Sequence, residues 1–273
     1  MNKAYLKLVA KRRLINNIMS CFFVSVLPFL AFLHLAVFNY YLPFFLKKTL
    51  GETEFFLNMA LRIFCIIISF CLWKSICLVK EKFFLMKTIY RKVKLSRVIK
   101  SIKLKKYVTY LKVSVLRGLL SVSWSVVYFL PCLVVTGLLI YTYRFENYGR
   151  NIHLTLFVSS ILLLLIGVYH FFITLKRYSM CELIILKDNQ ENPLEIIAKS
   201  ISHMEKHSFE YSYYCMSFTG WIFSCIFIVP MLYVLPFVNM SKWCYMMNAE
   251  NAEKTVTENE KPIIFYIRKR SEV

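Results

Sequence analysis

Long uncharged apolar runs, each closed by clusters of lysine and arginine, set the pattern of this chain. The first run, 14–46, follows Lys3, Lys7, Lys11, Arg12 and Arg13 and predicts a span over about 18–41, with Pro43 at its far end. It is too long for a signal-peptide core and lacks a small-x-small cleavage site, so it is expected to stay as an anchor. Further spans are predicted over about 55–79, 118–143 and 152–175. Each has the ~20 apolar residues that a helix needs to cross the hydrocarbon layer, where no water satisfies backbone groups. The run 211–247 has one charge, Lys242. As a single helix it would be roughly 55 Å long, nearly twice the hydrocarbon thickness. Pro230 and Pro236 are where it is expected to divide, into spans over 211–229 and 231–247. The alternative is one span ending near Val238, followed by an interfacial stretch. The expected fold is therefore all-α: a polytopic helical integral membrane bundle of six spans, or five, forming one domain over 1–248 with a mobile tail over 249–273.

Between the second and third spans, residues 80–117 hold thirteen Lys or Arg against a single acid, Glu81. Met86, Ile89, Tyr90 and Val93, then Leu95, Val98, Ile99 and Ile102, recur at the i, i+3, i+4, i+7 spacing of an amphipathic helix. A basic amphipathic helix suits a membrane surface, where each lysine gains roughly 1 kcal/mol from an anionic leaflet. Arg91, Lys92, Lys94, Lys100, Lys103 and Lys105 are the candidate contacts for anionic headgroups. The alternative is that the charge only fixes topology. No nucleic-acid-binding motif accompanies it, so nucleic acid is not an expected partner. Counting Lys and Arg by side gives five before span one and thirteen after span two, against two in each of the loops after spans one and three. The positive-inside rule then puts the N-terminus in the cytoplasm.

A second cytoplasmic helix is predicted over 193–207. Asn192 is a good N-cap, Pro193 suits the first helical position, and Glu195 stands three residues after the cap. Leu194, Ile197, Ile201 and Met204 make its apolar stripe. His203 and His207 share a face, but the order His-Met-Glu-Lys-His puts Glu205 nearly opposite His203, unlike the zinc-protease arrangement. No metal ligand set and no cofactor are expected.

Arg62 and Lys74 interrupt the second span, with eleven uncharged residues between them. Either they extend to the nearest headgroups, or one faces the bundle interior as a candidate intramembrane polar site for an anion. Gly118, Ser121 and Ser125 predict a face of span three that packs closely on a neighbour, and Pro131 a kink. His34 and His170 are expected to be hydrogen-bonded packing residues. The nine cysteines, with no Cys-x-x-Cys pair, are expected to act as small apolar side chains.

The composition, 58% hydrophobic with 24 Phe and only 6 Gly, lies outside that of soluble domains. The net charge of +20 is segregated by loop rather than spread over one surface. From about 171 to 250, Tyr178-Ser179-Met180, Leu186, Asp188-Asn189, Ser200, Met204, His207, Ser217-Phe218, Gly220-Trp221, Pro236 and Tyr245 occur in an order that resembles a bacterial family of uncharacterised multi-pass membrane proteins, domain of unknown function 975. Gln190, Lys206 and Phe237 stand where that family tends to have Pro, Gly and Tyr. The resemblance implies a six-helix-type membrane fold in the bacterial plasma membrane, with both ends cytoplasmic, and no established activity. The Asp188-Asn189 pair by itself reads as a turn.

Two functions remain open. One is a non-catalytic membrane protein that organises lipid or a membrane protein partner through its basic segment. The other is a small-solute transporter or export accessory using Arg62 and Lys74, although no membrane-embedded carboxylate and little glycine accompany them. No nucleophile-base pair, carboxylate pair or phosphate loop points to an enzyme.

Overall fold

The structure is a computed structural model. It describes residues 3–15, 17–50, 55–90, 93–144, 150–187, 192–205 and 207–257, which are helical with short connections and no strand. In chain order the helices are α1 (Lys3–Ile15), α2 (Ile18–Leu50), α3 (Phe55–Ile89), α4 (Leu95–Lys100), α5 (Leu104–Arg144), α6 (Arg150–Lys176), α7 (Cys181–Lys187), α8 (Pro193–Glu205), α9 (Ser208–Met216), α10 (Thr219–Ser224) and α11 (Ile228–Thr257). Among the described residues, four stretches are long and apolar enough to cross a membrane: Ile18–Leu42, Met59–Ile89, Leu104–Arg144 and Asn151–Lys187. They correspond to the first four expected spans.

Three expected boundaries move. The basic segment is not one amphipathic helix over 86–102. No Gly or Pro interrupts 80–89, and Phe83, Phe84, Leu85 and Lys87 are buried there, so α3 runs on to Ile89. The chain then turns extended at Lys94, forms the six-residue α4, and enters α5 fourteen residues before the expected start of span three. The second change concerns the run 211–247. It breaks at 217–218 and again at 225–227, both ahead of the prolines. Pro230 falls in the first turn of α11, where a missing N–H costs no helical bond, and Pro236 lies inside the same helix. The third change is at the C-terminus, where α11 continues to Thr257 with Ala249 buried. The rest of the expected tail, 258–273, lies outside the described residues.

The chain divides into two compact units. The first comprises Met1–Leu111, Ile185–Asn189 and Tyr214–Val273. In it α2 packs along α3, and α11 packs on α1, α2 and α3. Trp243, Tyr245, Met240, Phe83, Phe84 and Leu78 fill its interior. Polar side chains also pin the helices: Trp73 Nε1 donates to the Pro28 carbonyl at 3.1 Å, and Asn39 Nδ2 to Ser69 Oγ at 3.0 Å.

The second unit comprises Lys112–Ile184 and Gln190–Tyr213. A seam of polar contacts follows α5 along the returning chain. Arg117 pairs with Glu182 at 3.1 Å, Trp124 Nε1 donates to Tyr178 Oη at 2.9 Å, and Tyr128 Oη meets Thr174 Oγ1 at 2.9 Å. Further along, Thr136 Oγ1 meets Ser160 Oγ at 2.8 Å, and the Cys132 thiol donates to the Ser160 carbonyl at 3.5 Å. In hydrocarbon such bonds hold helices together where burial of apolar surface cannot. The close approach in this unit is at Gly167, where an added Cβ would stand 2.8 Å from the Tyr128 carbonyl oxygen. It is not at Gly118, where an added Cβ would meet nothing within 4 Å. His170 is exposed and stacks on Tyr128 at 6.1 Å between ring centres.

Helix α8 starts where expected. Asn192 Oδ1 accepts from the Leu194 N–H at 3.2 Å, and Asn192 Nδ2 donates to Glu195 Oε1 at 2.9 Å. Its buried face is Ile196, Ile197, Ser200 and Met204, while Leu194 is 65% exposed. The face turns from the expected stripe towards Ser200, whose hydroxyl donates to the Arg177 carbonyl at 2.9 Å.

Candidate membrane-surface site

The connection from α3 to α5 is where the basic side chains gather. Lys94, Arg97, Lys100, Lys103 and Lys105 are all exposed. Between them stand exposed apolar side chains, Ile99 at 53% and Leu104 at 77%. One side of this connection is anchored: Val98 is fully buried, and Lys82 Nζ on α3 donates to the Ser101 carbonyl at 2.6 Å. Lys106 Nζ holds the Leu186 carbonyl at 2.9 Å, and Tyr107 Oη the Cys71 carbonyl at 2.8 Å. The anchored side fixes the connection on its unit, and the opposite side presents cations interleaved with aliphatic groups. Arg97 belongs to this group although the sequence reasoning passed over it. Its i, i+3 spacing between Lys94 and Lys100 was the available signal. Arg91 and Lys92 lie outside the described residues.

One residue along α3 from Lys82 is the acid of the basic segment. Glu81 is 5% exposed; its Oε2 accepts from Trp243 Nε1 at 2.9 Å and lies 3.8 Å from Lys242 Nζ, and its Oε1 lies 3.0 Å from Lys80 Nζ. The single charge of the run 211–247 thus finds the single acid of 80–117. Lys187 on α7 pairs similarly with Glu250 on α11.

Arg62 and Lys74 are not brought together. Arg62 is exposed. Lys74 lies half-buried with its ammonium 4.7 Å from the centre of the Trp73 ring and 5.4 Å from that of Phe70. Twelve positions apart on α3, they stand about 18 Å apart along the axis and about 120° apart around it.

A family model described as Protein of unknown function (DUF975) matches residues 1–253. The chain belongs to this family. The match reaches well beyond the 171–250 segment and takes in α1 and the basic connection of this DUF975 protein. No curated protein and no solved structure matches it.

Part of the ordered set of residues that suggested the family surrounds one ammonium group. Lys7 Nζ on α1 donates to Ser217 Oγ at 2.8 Å and lies 4.5 Å from the Phe218 ring centre and 5.8 Å from that of Tyr214. Tyr214 in turn packs 5.1 Å from Tyr245, and Phe218 packs 5.7 Å from Phe237, the neighbour of Pro236. The DUF975 protein therefore uses Ser217 and Phe218 to hold its first helix. Nothing lies within 4 Å of a Cβ added at Gly220, and Trp221 is 53% exposed. In the second unit Ser200 is fully buried on the Arg177 carbonyl, and His207 is half-buried with its N–H on the Met204 carbonyl. Asp188 and Asn189 lie outside the described residues.

Proposed function

We propose that this is a non-catalytic integral membrane protein of the bacterial plasma membrane that organises anionic lipid, or a membrane protein partner, at its cytoplasmic face. The observation that carries this is the α3–α5 connection, where five exposed cations alternate with exposed Ile99 and Leu104. Aliphatic groups at that position enter the headgroup boundary while lysine and arginine meet phosphate. At roughly 1 kcal/mol per cation, five together supply enough to hold several anionic lipids, less as salt rises. The N-terminus and this connection lie on the cytoplasmic side by their excess of Lys and Arg. Nucleic acid is not a partner in this proposal, and no cofactor takes part.

The transporter alternative draws little support from Arg62 and Lys74, since about 18 Å and a third of a turn separate them. Lys74 already has aromatic partners.

The test is electron spin resonance of proteoliposomes carrying spin-labelled lipid. Spin-labelled phosphatidylglycerol should show a larger motionally restricted fraction than spin-labelled phosphatidylcholine. That excess should fall away at high salt and in a variant with Lys94, Arg97, Lys100, Lys103 and Lys105 changed to Gln. Equal restriction of both lipids in the wild type would refute the proposal.

A further inference from the structure

We infer that residues 217–241 form a re-entrant hairpin. It enters the bilayer from the face that carries α1 and returns to that face without reaching the other, with its tip among acyl chains. The inference needs only that α2, α3, α5 and α6 cross the bilayer, and it stands whether or not the basic connection selects anionic lipid.

The level of the hairpin's base is set by contacts within the first unit. Glu81 lies nineteen residues after Arg62 on α3, about 28 Å along the helix, which matches the ~30 Å hydrocarbon thickness. These two charges therefore suit opposite headgroup layers. Lys242 and Trp243 meet Glu81 directly, so this point of α11 lies at the same layer. On the other arm, Ser217 and Phe218 meet Lys7 of α1, the helix that precedes the entry of α2. Both arms thus start at one face.

The arms are too short to reach the other. From Ile228 to Lys242 is fourteen residues, about 21 Å of helix, and from Ser217 to Phe227 is ten, about 15 Å, against ~30 Å of hydrocarbon. They run antiparallel side by side, with Tyr214 beside Tyr245 and Phe218 beside Phe237.

The surface of the hairpin suits acyl chains. No charge falls between 211 and 241. The α11 arm packs inward through Val234, Phe237 and Met240. The other arm and the tip face outward, with Trp221, Ile222 and Phe223 exposed, Ile226 at 81% and Phe227 at 70%. Backbone chemistry agrees. The N–H groups of Cys225, Ile226, Phe227 and Met231 donate to the carbonyls of Ile222, Phe223, Ser224 and Phe227, and Pro230 has no N–H to satisfy. The Ser224 hydroxyl is also satisfied, on the Trp221 carbonyl at 2.6 Å. Backbone N–H groups bonded within the turn lower the cost of placing it where water is absent.

Native Cys225 sits at the tip and makes the test possible without mutation. Sealed proteoliposomes of wild-type protein, and vesicles opened to both sides by freeze–thaw, would be treated with a membrane-impermeant maleimide and the Cys225 peptide read by mass spectrometry. The expected result is loss of labelling from either side, with full labelling only after detergent. Phe227→Cys, spin-labelled in the same vesicles, should show high collision with oxygen and low collision with a water-soluble nickel chelate. Labelling of Cys225 from the face opposite the N-terminus would mean that the run crosses the bilayer. Labelling from the N-terminal face would put the tip in water. Either overturns the inference, as would nickel accessibility at 227.

Discussion

The indole N–H of Trp243 donates to the Glu81 carboxylate at 2.9 Å, joining two residues 162 positions apart. Both are almost fully buried, and Lys80 and Lys242 neutralise the carboxylate from the more open side. Removing the donor while keeping an aromatic ring, Trp243→Phe, leaves a buried carboxylate short of a bond and should cost about 1–3 kcal/mol. Glu81→Ala strands its partners and should cost at least as much, whereas Lys242→Ala, at a half-open position, should cost less. Thermal unfolding in a single detergent ranks the three. Equal stability of Trp243→Phe and wild type would show that the bond contributes nothing.

Gly167 and Gly118 should respond oppositely to alanine. A Cβ at Gly167 would meet the Tyr128 carbonyl oxygen at 2.8 Å, a backbone atom that cannot swing aside. Gly167→Ala should therefore force α5 and α6 apart locally, at about 1–3 kcal/mol. Gly118→Ala meets nothing within 4 Å and replaces the poorer helix former, so it should be neutral or stabilising by up to about 1 kcal/mol. Melting temperatures of the two variants in one detergent check the contrast.

The polar and apolar pattern made four membrane-length helices and the start of α8 legible before any coordinates, because each depends on local chemistry. An apolar run long enough for hydrocarbon can be only a helix, and Asn192 with Pro193 and Glu195 specifies a cap by itself. What the pattern missed depended on partners distant in sequence. Lys242 looked like a stray charge within an apolar run, and nothing near it announces Glu81. Periodicity alone carried one amphipathic helix through 86–102, whereas α3 ends at Ile89, beyond buried Lys87, and Lys94 is extended ahead of α4, whose Val98 is buried. Lys7 counted only as a topology charge, although its ammonium is held by Ser217 and Phe218. The candidate site was legible as a cluster of charge, and its alternation with exposed Ile99 and Leu104 needed the fold.

Asn192→Ala should weaken the first turn of α8. The change removes the acceptor for the Leu194 N–H and the donor to Glu195, at a cost of about 1 kcal/mol. Hydrogen exchange of 194–197 should quicken while the protection of α2 and α3 is unchanged. A uniform increase across all helices would show that the cap serves the whole fold and not its own helix.

Arg62→Ala and Lys74→Ala should behave as independent substitutions. Exposed Arg62 should cost little, within about 0.5 kcal/mol. Lys74 loses its aromatic partners and should cost about 0.5–1 kcal/mol. The double variant should equal the sum, since sites about 18 Å apart on one helix are beyond direct contact. A coupling above about 0.5 kcal/mol in a stability cycle would instead indicate a common site.

The cations of the α3–α5 connection are proposed to hold anionic lipid. Native mass spectrometry of the purified protein addresses this directly, comparing wild type with a variant in which Lys94, Arg97, Lys100, Lys103 and Lys105 are Gln. Wild type should retain phosphatidylglycerol or cardiolipin adducts in preference to phosphatidylcholine, and the variant should lose that preference while its helix content is unchanged. Identical anionic adducts on a folded variant would show that these cations do not hold the lipid.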